Sequence, residues 1–203
     1  LSELFRRMVF NILVTNDDGI FAPGIRTLVE EMKPFGRVLV VAPDKPQSAM
    51  GHAITIHSFL RLQPVQLMDG VEAWSCSGTP VDCVKLAIYK LLGGNKPDLL
   101  VSGVNHGANI SINVLYSGTM SAAVEGAMEG IPSIGFSLMD HGIDADFSQV
   151  RLIQVIQGAA VVTMLLLLSL AGIPLTAGFV AKYQVFMLAI GAGFIKTAVF
   201  AVV

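Results

Sequence analysis

Three observations predict an α/β fold, a mostly parallel sheet covered by helices on both faces and followed by a hydrophobic helical tail. Short apolar runs rich in β-branched residues alternate with segments of helical periodicity. Oxygen-bearing side chains collect at the carboxyl ends of those runs. Beyond Arg151 the sequence changes character, with 30 consecutive residues, 152–181, free of formal charge.

The elements follow in order. VFNILVT (9–15) is short and apolar, and reads as a buried strand. In APGIRTLVEEMKPFG (22–36), Ile25, Leu28, Val29 and Met32 recur at helical spacing; Pro23 suits the first turn, and Pro34 with Gly36 supplies a stop. RVLVVAP (37–43) is a second strand, followed by the polar loop DKPQSAMGHA. ITIHSFLRLQPVQL suits one or two further strands. TPVDCVKLAIYKLLGG (79–94) reads as a helix capped by Thr79, opened by Pro80 and closed by Gly93–Gly94. DLLVSGVN (98–105) is a third buried strand, SGTMSAAVEGAMEG (117–130) a small-residue helix, and IPSIGFSL (131–138) a further strand. Strands alternating with helices imply βαβ units, whose ligands bind at the carboxyl ends of the strands.

The 203 residues carry a net charge of −2, which gives no basic footprint for polymeric nucleic acid. The balance is uneven: residues 1–151 hold 11 basic and 15 acidic residues, net −4, and residues 152–203 hold two lysines and no acid. Cys76 and Cys83 match no zinc spacing, and Cys83 reads as a buried inert thiol. LSELFRRM lacks the apolar core of a secretory leader. No GxxxxGK[ST] and no G-x-S-x-G is present, which disfavours a P-loop nucleotide hydrolase and an elbow-type serine hydrolase.

The first strand runs into Asn16-Asp17-Asp18-Gly19. An Asp-Gly pair often marks a hairpin, yet a proline-opened helix follows instead of a second strand. Capping accounts for one carboxylate and not for two. Two carboxylates joined by neutral oxygen donors from neighbouring loops suit a hard divalent cation. The start of a helix at Ser117-Gly118-Thr119 suits an anion, or ordinary capping. A cation site and an anion site on one rim imply a phosphate ester.

LVTNDDGIFAPGI, VVAPDKPQSAMGHAIT, SCSGTPVDCVKLA, PDLLVSGVNHGANI and VLYSGTMSAAVEG, in this order, resemble the survival protein SurE family of 5′-nucleotidases over residues 9–148. The resemblance implies a Rossmann-like sheet and metal-dependent hydrolysis of nucleoside monophosphates to nucleoside and phosphate. It implies a cation, Mg²⁺ or Mn²⁺, held by Asp17, Asp18, Ser48 and Asn105, with Asp17 and Asp18 as the catalytic residues. Asn16, Gly78, Thr79, Ser117, Gly118 and Thr119 are then expected to shape the substrate and phosphate site. A homo-oligomer is implied as well. His52, His57 and His106 lie near these loops and read as surface or packing residues.

The second segment, 150–203, is expected to be a hydrophobic helical, membrane-spanning tail, because a span needs ~20 predominantly apolar residues. LLLLSLAGIPLTAGFVAKYQVF resembles the antiporter-like membrane subunit N of NADH–quinone oxidoreductase, with Lys182 at the position of that subunit's lysine and read here as interfacial. The expectation is a cytoplasmic phosphatase head with membrane association through the tail. The alternatives are a respiratory-subunit fragment with an inactive head, or two unrelated sequences misjoined near residue 150.

Overall fold

The computed structural model describes residues 10–107, 109, 111–138 and 147. The chain divides into two units, 1–150 and 151–203, and the described residues all belong to the first. They form a six-stranded sheet: β1 (Phe10–Thr15), β2 (Gly36–Pro43), β3 (Leu62–Val65), β4 (Glu72–Cys76), β5 (Leu99–His106) and β6 (Ser133–Leu138). The spatial order is β3-β4-β2-β1-β5-β6, parallel throughout except for β3 against β4. After β1 the chain builds outward on one side through β2 and β4, then returns to build on the other through β5. The strand order therefore reverses between β1 and β5, and in open α/β sheets that switch point is where ligands bind.

Among the described residues three α-helices flank the sheet: α1 (Pro23–Met32), α2 (Pro80–Leu86) and α3 (Gly118–Met128). Leu13, Leu39, Val41 and Leu100 pack with Val84, Ala87, Ile88 and Ala122 of the α2–α3 side. Strand alternation leaves Ile12, Val14, Val38, Val40 and Val101 for the other face, where α1 packs on β1, β2 and β5 through Ile25, Leu28, Val29 and Met32. Both faces are covered, so the central strands read as unbroken apolar runs rather than as alternating ones. The architecture is the Rossmann-like mixed sheet that the sequence implied.

Several details differ from the sequence reading. The stretch after Ala53 forms one strand only, the four residues of β3; Ile54, Ile56 and Phe59 remain exposed. β4, with the sequence EAWSC, has no β-branched residue and escaped the pattern. Its place is fixed by pairing with β2 and by a turn in which the Val71 amide donates to the Met68 carbonyl and Gly70 has φ +73°. The helix expected over 79–94 ends at Leu86 and continues as a wider turn over Ala87–Leu91.

The expected hydrophobic helical tail is corrected. Among the described residues no helix is long and apolar enough to cross a membrane. Residues 151–203, with Lys182, lie outside the described residues. The length of an uncharged run does not by itself make a span, which also needs a continuous helix to satisfy backbone groups in lipid, and the sequence of this run contains Gly158, Gly172, Pro174 and Gly178. Membrane association and membrane localisation, which rested on that run, are dropped with it.

The start of α2 is a polar junction. Thr79 accepts from the Asp82 amide at 3.2 Å, and Asp82 accepts from the Thr79 amide at 2.9 Å, closing a capping box. Asp82, 2 % exposed, also accepts from the amide and hydroxyl of Thr55 at 3.1 and 2.6 Å. Asp82→Ala leaves those donors unmatched and is expected to lower unfolding stability by about 2–4 kcal/mol. Urea unfolding would show this as a lower midpoint at an unchanged slope.

Candidate functional site

Asp17 stands two residues beyond the end of β1, at the switch point, and is 6 % exposed. Its Oδ1 accepts from the Thr119 hydroxyl at 2.5 Å, and its carboxylate also accepts backbone hydrogen bonds from Gly118 and Thr119. The carboxylate is thus seated on the amino terminus of α3, where free N–H groups and the helix dipole favour an anion. Gly118 makes this approach possible. A Cβ there would lie 2.6 Å from the Asp17 Cβ and 2.9 Å from its Oδ2.

Asp18 accepts from the His106 amide at 3.2 Å, across the gap between β1 and β5. The end of β5 reaches this position through an irregularity: its register against β6 shifts between Ser102 and Asn105, and Gly103 takes φ +125°. A side chain at Gly103 would meet the Phe136 carbonyl at 2.4 Å. Asn105, half-buried, donates its side-chain N–H to the Gly107 carbonyl at 2.7 Å, which leaves its Oδ1 as the remaining acceptor. On the other flank, the Gln47 amide donates to the Asp17 carbonyl at 2.8 Å, which places exposed Ser48 next along the chain. The structure therefore brings Asp17, Asp18, Asn105 and the Ser48 loop to one rim.

Burial raises the pKa of Asp17, against the opposing pull of Thr119 and the helix amides. Burial and then the charge of Asp17 raise that of Asp18, against the His106 amide. Among the described residues neither carboxylate has a lysine or arginine partner in an ion pair. Two adjacent, desolvated acids without a cationic side chain are costly when ionised, and a bound cation removes that cost. The donor types fit a hard divalent ion: two carboxylates, a hydroxyl and an amide oxygen. Asn16 adds a further sign of fit. Its Nδ2 donates to the Gly19 carbonyl at 2.8 Å, and its buried Oδ1 has no partner among the described residues. Among those residues no cluster of three or more histidine, cysteine or acidic side chains could hold a metal, so neutral oxygens must complete the set.

The residues expected to bind phosphate have other duties here. The amides of Gly118 and Thr119 face Asp17. Ser117 caps α3 by accepting from the Met120 amide at 3.0 Å. The Thr79 hydroxyl donates to the Ala53 carbonyl at 2.7 Å, and the Gly78 amide donates to Cys76 Sγ at 3.3 Å. Gly78 is a close-packing position, since a Cβ there would meet Asp82 Oδ2 and Leu60 Cδ2, each at 2.6 Å. Cys83 is buried, and burial pushes its thiol pKa up, in keeping with an inert core thiol. A cavity of about 320 Å³ opens at the opposite, amino-terminal end of the strands, between Arg37, Glu72 and Leu92, and includes none of these residues.

Sequence reasoning gave no role to two side chains that the fold joins. His52 Nε2 lies 2.8 Å from Oε2 of Glu125, a carboxylate 3 % exposed within α3. Lys85 Nζ lies 2.5 Å from the other oxygen of Glu125. The available signal was an acid in a helix otherwise built of small and apolar residues.

The family model described as "Survival protein SurE" matches residues 12–176. The match runs past residue 148, where the sequence reading ended the resemblance, and into the segment 150–203 as far as residue 176. The 5′-nucleotidase SurE of Cytophaga hutchinsonii is 65 % identical over 140 residues, covering 69 % of this chain and 54 % of that protein. The 5′-nucleotidase SurE of Trichodesmium erythraeum is 43 % identical over 189 residues, covering 85 % of this chain and 70 % of its own length. The crystal structure of the SurE protein from Aquifex aeolicus superimposes with a TM-score of 0.63 at 39 % identity, covering 75 % of this chain and 60 % of that one. The chain spans about half the length of most of the curated relatives it matches.

The paired acids generate a pH prediction. Their pKa values are raised in the fold, so the folded chain binds more protons than the unfolded one at pH above about 3.8. Stability of the metal-free protein is expected to fall as pH rises through that window. Asp18→Asn is expected to flatten the fall and raise the metal-free melting temperature at pH 7. Thermal melts from pH 4 to 8 in chelator test both statements; a wild-type melting temperature that rises across the window contradicts them.

Proposed function

The chain belongs to the survival protein SurE family, and from that membership we propose that it is a divalent-metal-dependent phosphomonoesterase that hydrolyses nucleoside 5′-monophosphates. One observation carries the reading: two adjacent carboxylates at the switch point, Asp17 buried and Asp18 half-buried, one fixed on a helix amino terminus and neither matched by a lysine or arginine among the described residues. The names of the relatives, 5′-nucleotidase, supply the substrate class.

Asp17 and Asp18 would hold the cation, with the Ser48 hydroxyl and the Asn105 amide oxygen completing the protein's share. Mg²⁺ and Mn²⁺ both suit such oxygen donors. A bound divalent cation supplies positive charge for the phosphoryl oxygens and a more acidic water. Asp17 is immobilised by Thr119 and α3, which suits it to anchoring. Asp18 is held by one backbone amide and is the more accessible of the two, which suits it to orienting the attacking water. Asn16 turns an acceptor and not a donor away from Gly19, so its free atom suits a cation or a water rather than phosphate. The substrate is a small molecule, and the family pattern suggests a homo-oligomer.

Phosphate release from nucleoside 5′-monophosphates is expected only with Mg²⁺ or Mn²⁺ present. Asp18→Asn is expected to lower kcat/KM by about 100-fold or more, in the range found when one electrostatic group is removed from an active site. Unchanged turnover in Asp18→Asn would overturn the assignment.

A further inference from the structure

Between β2 and β3 the chain has no regular structure, yet residues 47–55 are tied at successive points. The Gln47 amide bonds the Asp17 carbonyl, and the Gly51 amide bonds the Tyr116 carbonyl at 3.2 Å. His52 meets Glu125, the Ala53 carbonyl accepts from Thr79, and Thr55 donates to Asp82. The segment is a strap laid from the end of β1, past the start of α3, to the start of α2. Of its side chains, His52 reaches α3 and Thr55 reaches α2.

Two features single out the His52 anchor. Glu125 is a nearly fully buried carboxylate in a helix of small residues, where an alanine would avoid the cost of burying charge. Lys85 and His52 occupy its two oxygens, one each. Glu125 follows Gly118 by seven residues, so the two share a face of α3 about 10 Å apart along the axis. The helix whose first turn seats Asp17 thus holds, two turns on, the strap that carries Ser48. The second feature is Ala49, at φ +58°. A left-handed non-glycine residue is strained and persists only where its surroundings hold it. The turn at Ser48–Ala49 lies between the Gln47 anchor and the Gly51–His52 anchors.

We propose that the His52–Glu125 pair is a positioning device that fixes Ser48 relative to Asp17 and Asp18, and through Ser48 sets the affinity of the rim for a divalent cation. The inference rests on the metal reading given above. His52 acts through the strap and is a positioning residue, not a catalytic one.

The test is Mn²⁺ binding to the full chain, read by electron paramagnetic resonance of free Mn²⁺ and by calorimetry. Folding of every variant is checked by circular dichroism. His52→Ala is expected to weaken Mn²⁺ binding by about tenfold, the scale of lost outer-shell support. His52→Gln, which keeps an N–H donor, is expected to recover most of it. Ser48→Ala is expected to weaken binding similarly, and adding His52→Ala to Ser48→Ala should change it by less than about twofold, because both act on one contact. Glu125→Met, close in shape but unable to bond His52, should follow His52→Ala and decides the matter if His52→Ala does not fold. Wild-type affinity in His52→Ala, or in Glu125→Met where that variant decides, overturns the proposal, as does full additivity in the double variant. A wild-type chain that takes up no Mn²⁺ overturns the metal reading and this inference together; uptake with additive variants overturns only the inference.

Discussion

The seating of Asp17 on the amino terminus of α3 is the constraint on which the rim is organised. Its carboxylate binds Thr119 and the first amides of the helix, while its own carbonyl accepts from Gln47 of the strap. One residue therefore joins the central strand, the helix that crosses to β6 and the long connection after β2. Close approach is required on the helix side, and Gly118 supplies it. Asp18, next in sequence, is directed across the switch point to the His106 amide. The geometry of the pair follows from two hydrogen-bonded neighbours on opposite sides, and the repulsion between them is left for a ligand to relieve.

Much of this was legible in the sequence because the responsible signals are local. β1, β2 and β5 are buried on both faces, so they appear as unbroken apolar runs. Pro23 and Pro80 mark helix starts, and the absence of a strand after Gly19 excluded the hairpin reading of Asp18-Gly19. The sequence holds a second Asp-Gly pair, Asp69-Gly70, and that one does lie in the turn between antiparallel strands. The difference is the flanking chain, not the dipeptide. β4 was not legible because its burial comes from its partner β2 rather than from its own residue types. The Ile54–Ile56 alternation misled in the opposite direction: the backbone there bonds side chains of α2 instead of a strand.

The candidate site divides in the same way. The carboxylates and the small residues at Ser117-Gly118-Thr119 were visible because a short motif carries them. The partner of His52 lies 73 residues away, and no local pattern announces such a pair. The apolar stretch after residue 151 shows the opposite hazard. Hydropathy measures only the free energy of transfer, so runs of Leu, Val and Ala in unrelated proteins resemble one another without shared ancestry. A family model that weighs each position reads on through residue 176.

Two of the three helix amino termini at the rim, those of α2 and α3, are occupied by acids of the chain itself. Asp82 closes the start of α2, and Asp17 sits on the start of α3. In many open α/β folds such a terminus is the anion site and receives the phosphate directly. Here the dipole and the free amides of α3 are directed to Asp17, where they oppose, without cancelling, the rise in pKa that burial causes. A phosphate approaching this rim meets negative charge first. Under the proposed reading its binding depends on an intervening cation, for which Asp17 is one ligand. Metal dependence under the proposed reading is then a consequence of how the fold caps its helices, since removing the ion leaves a rim that repels its own substrate.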